Sequence, residues 1–258
     1  MPPPTRRIRL PVWDRPELDL PGAAQPGSLL AILPAARKLT QAVMRLSEER
    51  EKQAGRKVTC KVGCAACCRH LIPVSRVEAK SLAMLVEKLP TVQREAVKKR
   101  FQAALVKLEG AGLLPPKKDA PRTALRTESA GDAAALWDEV SRKYFALQIN
   151  CPFLEQERCI IYEGRPLLCR EHEVTSDPAR CKTLDGGAVG VPRPTFPSRA
   201  LALAAADLDG VSAASIPLVT ALEWAADAGD ELGSEHGPVA LLDAFLDNLT
   251  WGEELSEA

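Results

Sequence analysis

The sequence predicts a mainly α fold: a helical scaffold around a cysteine-rich core, with one small β-hairpin. Three observations carry this expectation. Apolar residues recur at three- and four-residue spacings over most of the chain, as one buried helix face requires. Helix start and stop residues fall between those stretches. No alternation of strands with helices is visible, and only residues 151–162 read as a short pair of strands.

Residues 1–28 carry seven prolines, which predicts an extended, partly ordered arm. Ile32, Ala36, Leu39, Val43 and Leu46 then mark one face of a helix, with Pro34 in its first turn and an end near Gly55. Ser75-Arg76-Val77-Glu78 is a capping box, and Leu82, Leu85, Val86 and Leu89 form the stripe of the helix it opens. Pro90 stops that helix and Thr91 is positioned to cap the next, which buries Val97, Phe101, Leu105 and Leu108 and ends at Gly110 or Gly112. The tight junction predicts an antiparallel helical hairpin.

Residues 113–131 read as a loop. Asp132 is a candidate cap for a helix with Leu136, Trp137, Val140, Tyr144 and Leu147 turned inward. Cys151-Pro152-Phe153-Leu154 and Cys159-Ile160-Ile161-Tyr162 flank a polar turn and predict the β-hairpin. Pro166 opens a short helix carrying Cys169, and Asp177-Pro178 repeats that signal before Cys181. After a proline-spaced linker from Pro192 to Pro197 come two or three helices, the clearest with Val239, Leu242, Phe245, Leu246 and Leu249 inward. The organisation expected is an arm over 1–28, a cysteine-bearing domain over 29–185 and an acidic helical extension over 186–258.

Composition excludes more than it identifies. The formal net charge is zero and aromatics are 4%, so nothing marks a nucleic-acid binder. No apolar run approaches the roughly 20 residues of a membrane helix, and no signal segment is evident, which predicts a cytoplasmic protein. No Lys or Arg follows Arg199 while acidic residues continue to Glu257. That region is either a solvated helix surface or a face for a protein partner.

The chemistry lies in eight cysteines. Cys60, Cys64, Cys67 and Cys68 fall within nine residues, and Cys151, Cys159, Cys169 and Cys181 follow about eighty residues later. In a reducing compartment such clusters are metal ligands or redox groups rather than disulfides. Short Cys-x2-4-Cys spacings let one turn of backbone aim two sulfurs at one ion, and Gly63 permits a tight path. Neighbouring side chains diverge in regular structure, so Cys67 and Cys68 are expected to point to different places. Two arithmetics stay open: two sites of four sulfurs each, or one iron–sulfur cluster holding four of the eight. Zn²⁺ or iron, the latter including a [4Fe–4S] cluster, is thus the expected cofactor. His70 and His172 stand near the cysteines as ligands or as donors to a thiolate. Arg69, Arg165 and Arg170 either offset thiolate charge or pair with Glu163, Glu171 and Glu173.

The run Cys-x3-Cys-x2-Cys-Cys, then Cys-Pro-Phe-Leu, Cys-Ile-Ile-Tyr-Glu-Gly-Arg-Pro-Leu-Leu-Cys-Arg and a final Cys, resembles the YkgJ-like cysteine-cluster family. The resemblance covers roughly Thr59 to Cys181 and all eight cysteines, and it implies zinc or iron chelation. Flagellin lysine methylases share the cysteine pattern, yet no residue here carries that activity over. An alternative class is an enzyme. Cys60-x3-Cys64-x2-Cys67 has the spacing that radical S-adenosylmethionine enzymes use for a [4Fe–4S] cluster, but the flanks lack the β/α alternation of their barrels. No catalytic residue is assigned.

Overall fold

A computed structural model describes residues 5–12, 15–117, 122, 125, 133–229 and 231–252. It opens on a hairpin. β1 (Thr5–Arg9) and β2 (Glu17–Pro21) pair antiparallel, with Arg7 opposite Asp19, Ile8 opposite Leu18 and Arg9 opposite Glu17. Pro11, Pro16 and Pro21 lie near or at the ends of these strands, where no ladder donor is lost. Polar pairs fill the outer face, including Arg7 Nε to Asp19 Oδ1 at 2.8 Å, while Leu10, Val12 and Leu20 enter the core. Pro2, Pro3 and Pro4 lie outside the described residues.

α1 (Leu33–Gln53) begins with Pro34 in its first turn and buries Leu39 and Val43, as its periodicity predicts. It packs against β2, a short α5 (Leu167–Glu171) and α6 (Pro197–Asp209). After β3 (Pro73–Val74), α2 (Arg76–Glu87) starts at the expected capping box. α3 (Thr91–Gly110) follows, with Pro90 rather than Thr91 at its cap. α2 touches α3, but its main partner is α7 (Ala221–Asp227), which the pattern of α2 alone does not name.

α4 (Ala133–Ala146) buries Val140 and Tyr144. Its expected cap, Asp132, lies outside the described residues, as does most of the loop before it. Trp137 is a correction: expected inward, it is 44% exposed. The expected hairpin is β4 (Leu154–Glu155) with β5 (Arg158–Cys159). Its turn residues Gln156 and Glu157 both have positive φ, 48° and 57°, the backbone of a type I′ turn. Phe153 meets Phe101 of α3 edge-on at 5.4 Å, an aromatic contact worth about 1 kcal/mol, which fastens the hairpin to the frame.

The C-terminal region closes the molecule. β6 (Ile216–Pro217) pairs with β3, and α8 (Pro238–Asp247) packs on α6. Thus three two-stranded antiparallel sheets occur among the described residues where one hairpin was expected. Leu241, Leu242 and Phe245 form the inner face of α8, whereas Val239, expected inward, is 70% exposed because it lies in the first turn beside Pro238. One cluster of buried side chains runs through all three expected segments, from Leu10 through Leu39 and Val77 to Trp224 and Phe245.

The acidic residues of this region meet cations of the same chain. Arg76 binds Glu231 at 2.7 Å, Lys117 binds Asp227 at 2.8 Å, Arg122 binds Glu223 at 2.5 Å and Arg6 contacts Asp243. His236 exchanges backbone hydrogen bonds with Gly27 and sets Nε2 2.5 Å from Asp209 Oδ1, which ties the end of the hairpin segment to the last helices.

Candidate metal centre

Residues 60–70 form no regular element but a series of turns. Cys64 N donates to Lys61 O, Cys68 N to Ala65 O and His70 N to Cys67 O, at 2.9 to 3.1 Å. Gly63 has φ +88°, a left-handed turn that a side chain would strain, which bears out its reading as a permissive position. Such a path leaves four partly buried thiols on a short loop where only Ala65 and Ala66 are fully buried.

Long-range hydrogen bonds position it. Cys151 N donates to Cys68 O at 2.8 Å, and Thr59 N donates to Val174 O at 2.9 Å. Val174 N donates to Cys60 Sγ at 3.4 Å. His70 Nε2 lies 2.6 Å from Cys181 O, and since a carbonyl only accepts, Nε2 carries the proton. The two cysteine groups, about eighty residues apart in sequence, are therefore bound together by backbone.

The helix α5, which carries Cys169, is held at both ends by buried carboxylates. Glu78 Oε1 accepts from Leu167 N at 2.7 Å while Glu78 Oε2 serves the capping box of α2. At the other end Glu171 accepts from Ser198 N and Ser198 Oγ, both at 2.7 Å, and so caps the first turn of α6. Burial raises both carboxyl pKa values. Sequence reading assigned Glu78 its cap but not its second role, because Leu167 is far away in the chain.

All eight cysteines are free thiols, seven partly exposed and Cys181 buried. Burial pushes the Cys60 thiol up to about 11 and the Cys151 thiol up to about 12. It also raises Cys159, Cys181 and, most strongly, Cys169. Cys67 is raised first by a hydrogen bond with the Cys68 thiol and then by burial. Both residues lie in the turn closed by Cys68 N donating to Ala65 O, outside any helix or strand.

Mutual charge effects sort the thiols. Cys60 responds to Cys64 and Cys67, and Cys181 to Cys67 and Cys64. Cys151 responds to Cys159 and Cys67, and Cys169 to Cys151, Cys67 and Cys159. Cys67 is common to both sets. As the side chains stand, no three Cys, His, Asp or Glu residues among the described ones are grouped to hold a metal ion.

Cys64, Cys67, Cys68, Cys151, Cys159 and Cys169 line a cavity of about 440 Å³ together with His70, His172 and Trp137. His172 lies at its exposed rim, where partial desolvation and then Arg193 and His70 lower its pKa. The arginines do not pair with Glu163, Glu171 and Glu173. Arg69 binds Glu157 at 2.7 Å, Arg170 donates to the carbonyls of Arg165 and Glu163, and Arg165 stacks over the Tyr162 ring at 4.0 Å. Arg193 and Phe196, which reach the same cavity, were hidden in a stretch that reads as linker.

The arrangement defines a class: a helical frame on which two loop systems gather reduced cysteines at one cavity. Residues 59–185 match the CxxCxxCC family model, described as a proposed zinc- or iron-chelating domain. No curated protein and no solved structure matches the chain. No helix among the described residues is long and apolar enough to cross a membrane.

Proposed function

We propose that the protein chelates zinc or iron through its eight cysteines in a two-lobed thiolate centre. Cys60, Cys64 and Cys181 form one lobe, Cys151, Cys159 and Cys169 the other, and the adjacent Cys67 and Cys68 complete the two sets of four. The observation that carries this reading is the junction of the two cysteine groups, where Cys151 N donates to Cys68 O and six of the eight cysteines line one cavity. Four soft sulfurs per centre suit Zn²⁺ or iron–sulfur chemistry. A bound cation supplies the positive charge that lets buried thiols ionise, which their raised pKa values otherwise oppose.

The role that follows is a clamp between the two cysteine-bearing loop systems. The enzyme alternative needs a substrate scaffold of β/α repeats, whereas the strands among the described residues pair only as antiparallel couples. Elemental analysis with a visible spectrum after anaerobic purification tests the proposal. Two zinc ions per colourless chain, or iron and sulfide with absorption near ~400 nm, is expected. A chain that retains neither metal, even after reconstitution, overturns it. Cys67→Ser and Cys181→Ser are each expected to lower metal content by taking one ligand from a set of four.

A further inference from the structure

We propose that the cavity beside the cysteines is a binding chamber for a small organic anion with a flat apolar body, an aromatic carboxylate or phosphate. Its volume of about 440 Å³ falls within the roughly 300–1,000 Å³ of small-molecule sites. Two guanidiniums reach it, from Arg165 and Arg193. Among the described residues neither has a carboxylate within ion-pair distance. Other arginines of the chain do have such a partner, among them Arg7 with Asp19, Arg56 with Glu51 and Arg122 with Glu223.

The two are also held alike. Arg165 lies over Tyr162 at 4.0 Å and Arg193 over Phe196 at 4.7 Å, which fixes each planar fork and leaves its N–H edge for an oxyanion. A guanidinium without a carboxylate partner gains charge-assisted hydrogen bonds from an incoming carboxylate or phosphate oxygen. At the rim stand Trp137, 44% exposed, and Phe196, 39% exposed. They come from segments far apart in sequence, and together they offer faces for a flat ring.

The chamber itself stands on the arginines and the aromatic rim. Only the placement of the anion beside metal rests on the chelation reading. The competing role for Arg165 and Arg193 is counter-charge to thiolates, and the test separates the two. The full chain, purified anaerobically with its own metal, is titrated calorimetrically with benzoate and phenyl phosphate. Benzyl alcohol and benzylamine are the neutral and cationic controls, and inorganic phosphate is the competitor. Saturable one-to-one binding of at least one aromatic anion is expected. It should weaken tenfold or more in Arg165→Gln and Arg193→Gln, weaken also in the charge-retaining Arg193→Lys, and weaken several-fold in Trp137→Leu, all with metal content unchanged. Absence of saturable anion binding, equal binding of benzyl alcohol, or arginine variants that bind as the parent does overturns the chamber. So do arginine variants that lose metal, which marks those side chains as counter-ions. A metal-free parent that still binds the anion keeps the chamber and sinks the chelation reading, whereas a metal-replete parent that binds no anion sinks the chamber alone.

Discussion

The helical frame and the cysteine loops are held by different forces. In the frame, α1, α2, α6, α7 and α8 bury Leu39, Val77, Leu201, Trp224 and Phe245 in one continuous cluster. In the loops over 59–70 and 172–183 regular structure is scarce, and the buried side chains are few, Ala65 and a small cluster of Ala66, Val174 and Cys181. What joins these loops is a handful of backbone hydrogen bonds, each worth on the order of 1 kcal/mol. Apolar burial therefore accounts for the frame, while the loops need a further source of order. Metal is the source proposed.

The largest expected effect breaks the comparison directly. A structural Zn²⁺ site contributes on the order of 10–16 kcal/mol, more than the whole net stability of many domains. Chelation of the purified protein is expected to raise hydrogen exchange sharply at Thr59, Cys68, Cys151 and Val174, whose backbone groups link the loops. The amides of α1 and α6 should stay protected. Equal loss of protection in both regions would show that the frame depends on metal as much as the loops do.

The next effect comes from the frame. Trp224 is fully buried, and Arg76 lies 5.6 Å from the centre of its ring. Trp224→Ala is expected to cost about 3–5 kcal/mol in denaturant midpoint, through lost burial and the cavity left behind. Trp224→Phe should cost less, since the indole Nε1 has no partner to lose. Metal content should be the same in both variants. A Trp224→Ala protein that folds but loses its metal would merge the two regions into one cooperative unit.

The same division explains what the sequence disclosed. Periodicity found α1, α2, α3 and α8, and capping chemistry placed Ser75 and Asp177, because those signals are local. The eight cysteines suggested a common site by number and spacing, and six of them line one cavity. The β1–β2 hairpin was missed although Ile8, Leu10, Leu18 and Leu20 alternate with charged residues, because proline density outweighed a period-two signal over few residues. Trp137 read as core because an aromatic on a helical stripe usually is, and only the neighbouring loops show that it faces a cavity. The acidic residues after Arg199 read as a solvated helix surface or a partner face, and the ion pairs that Arg76, Lys117 and Arg122 make with several of them, from elsewhere in the chain, were not legible there. Local signals thus recovered elements, while the cross-chain pairs that assemble them left no mark in any one segment.

Glu78 gives the smallest effect and the sharpest, because it belongs to both regions. Its carboxylate caps α2 in the frame and accepts from Leu167 N, so it steadies the helix that carries Cys169. Burial raises its folded pKa above the unfolded value, while its backbone and hydroxyl donors pull the other way. The folded state then binds the proton more tightly than the unfolded state. Its contribution to stability is full below the unfolded pKa and falls away as pH rises through the folded pKa. Glu78→Gln keeps the shape and removes the titration, but it turns one acceptor into a donor that opposes the Ser75 N–H. The expected cost is about 1–3 kcal/mol at acidic pH, with a shallower decline of stability as pH rises above the ordinary glutamate range. Chemical denaturation at several pH values between about 4 and 7 measures both quantities. If the variant kept the parent's slope, another buried acid such as Glu171 would set it, and the tie between frame and loops would lie at the other end of α5.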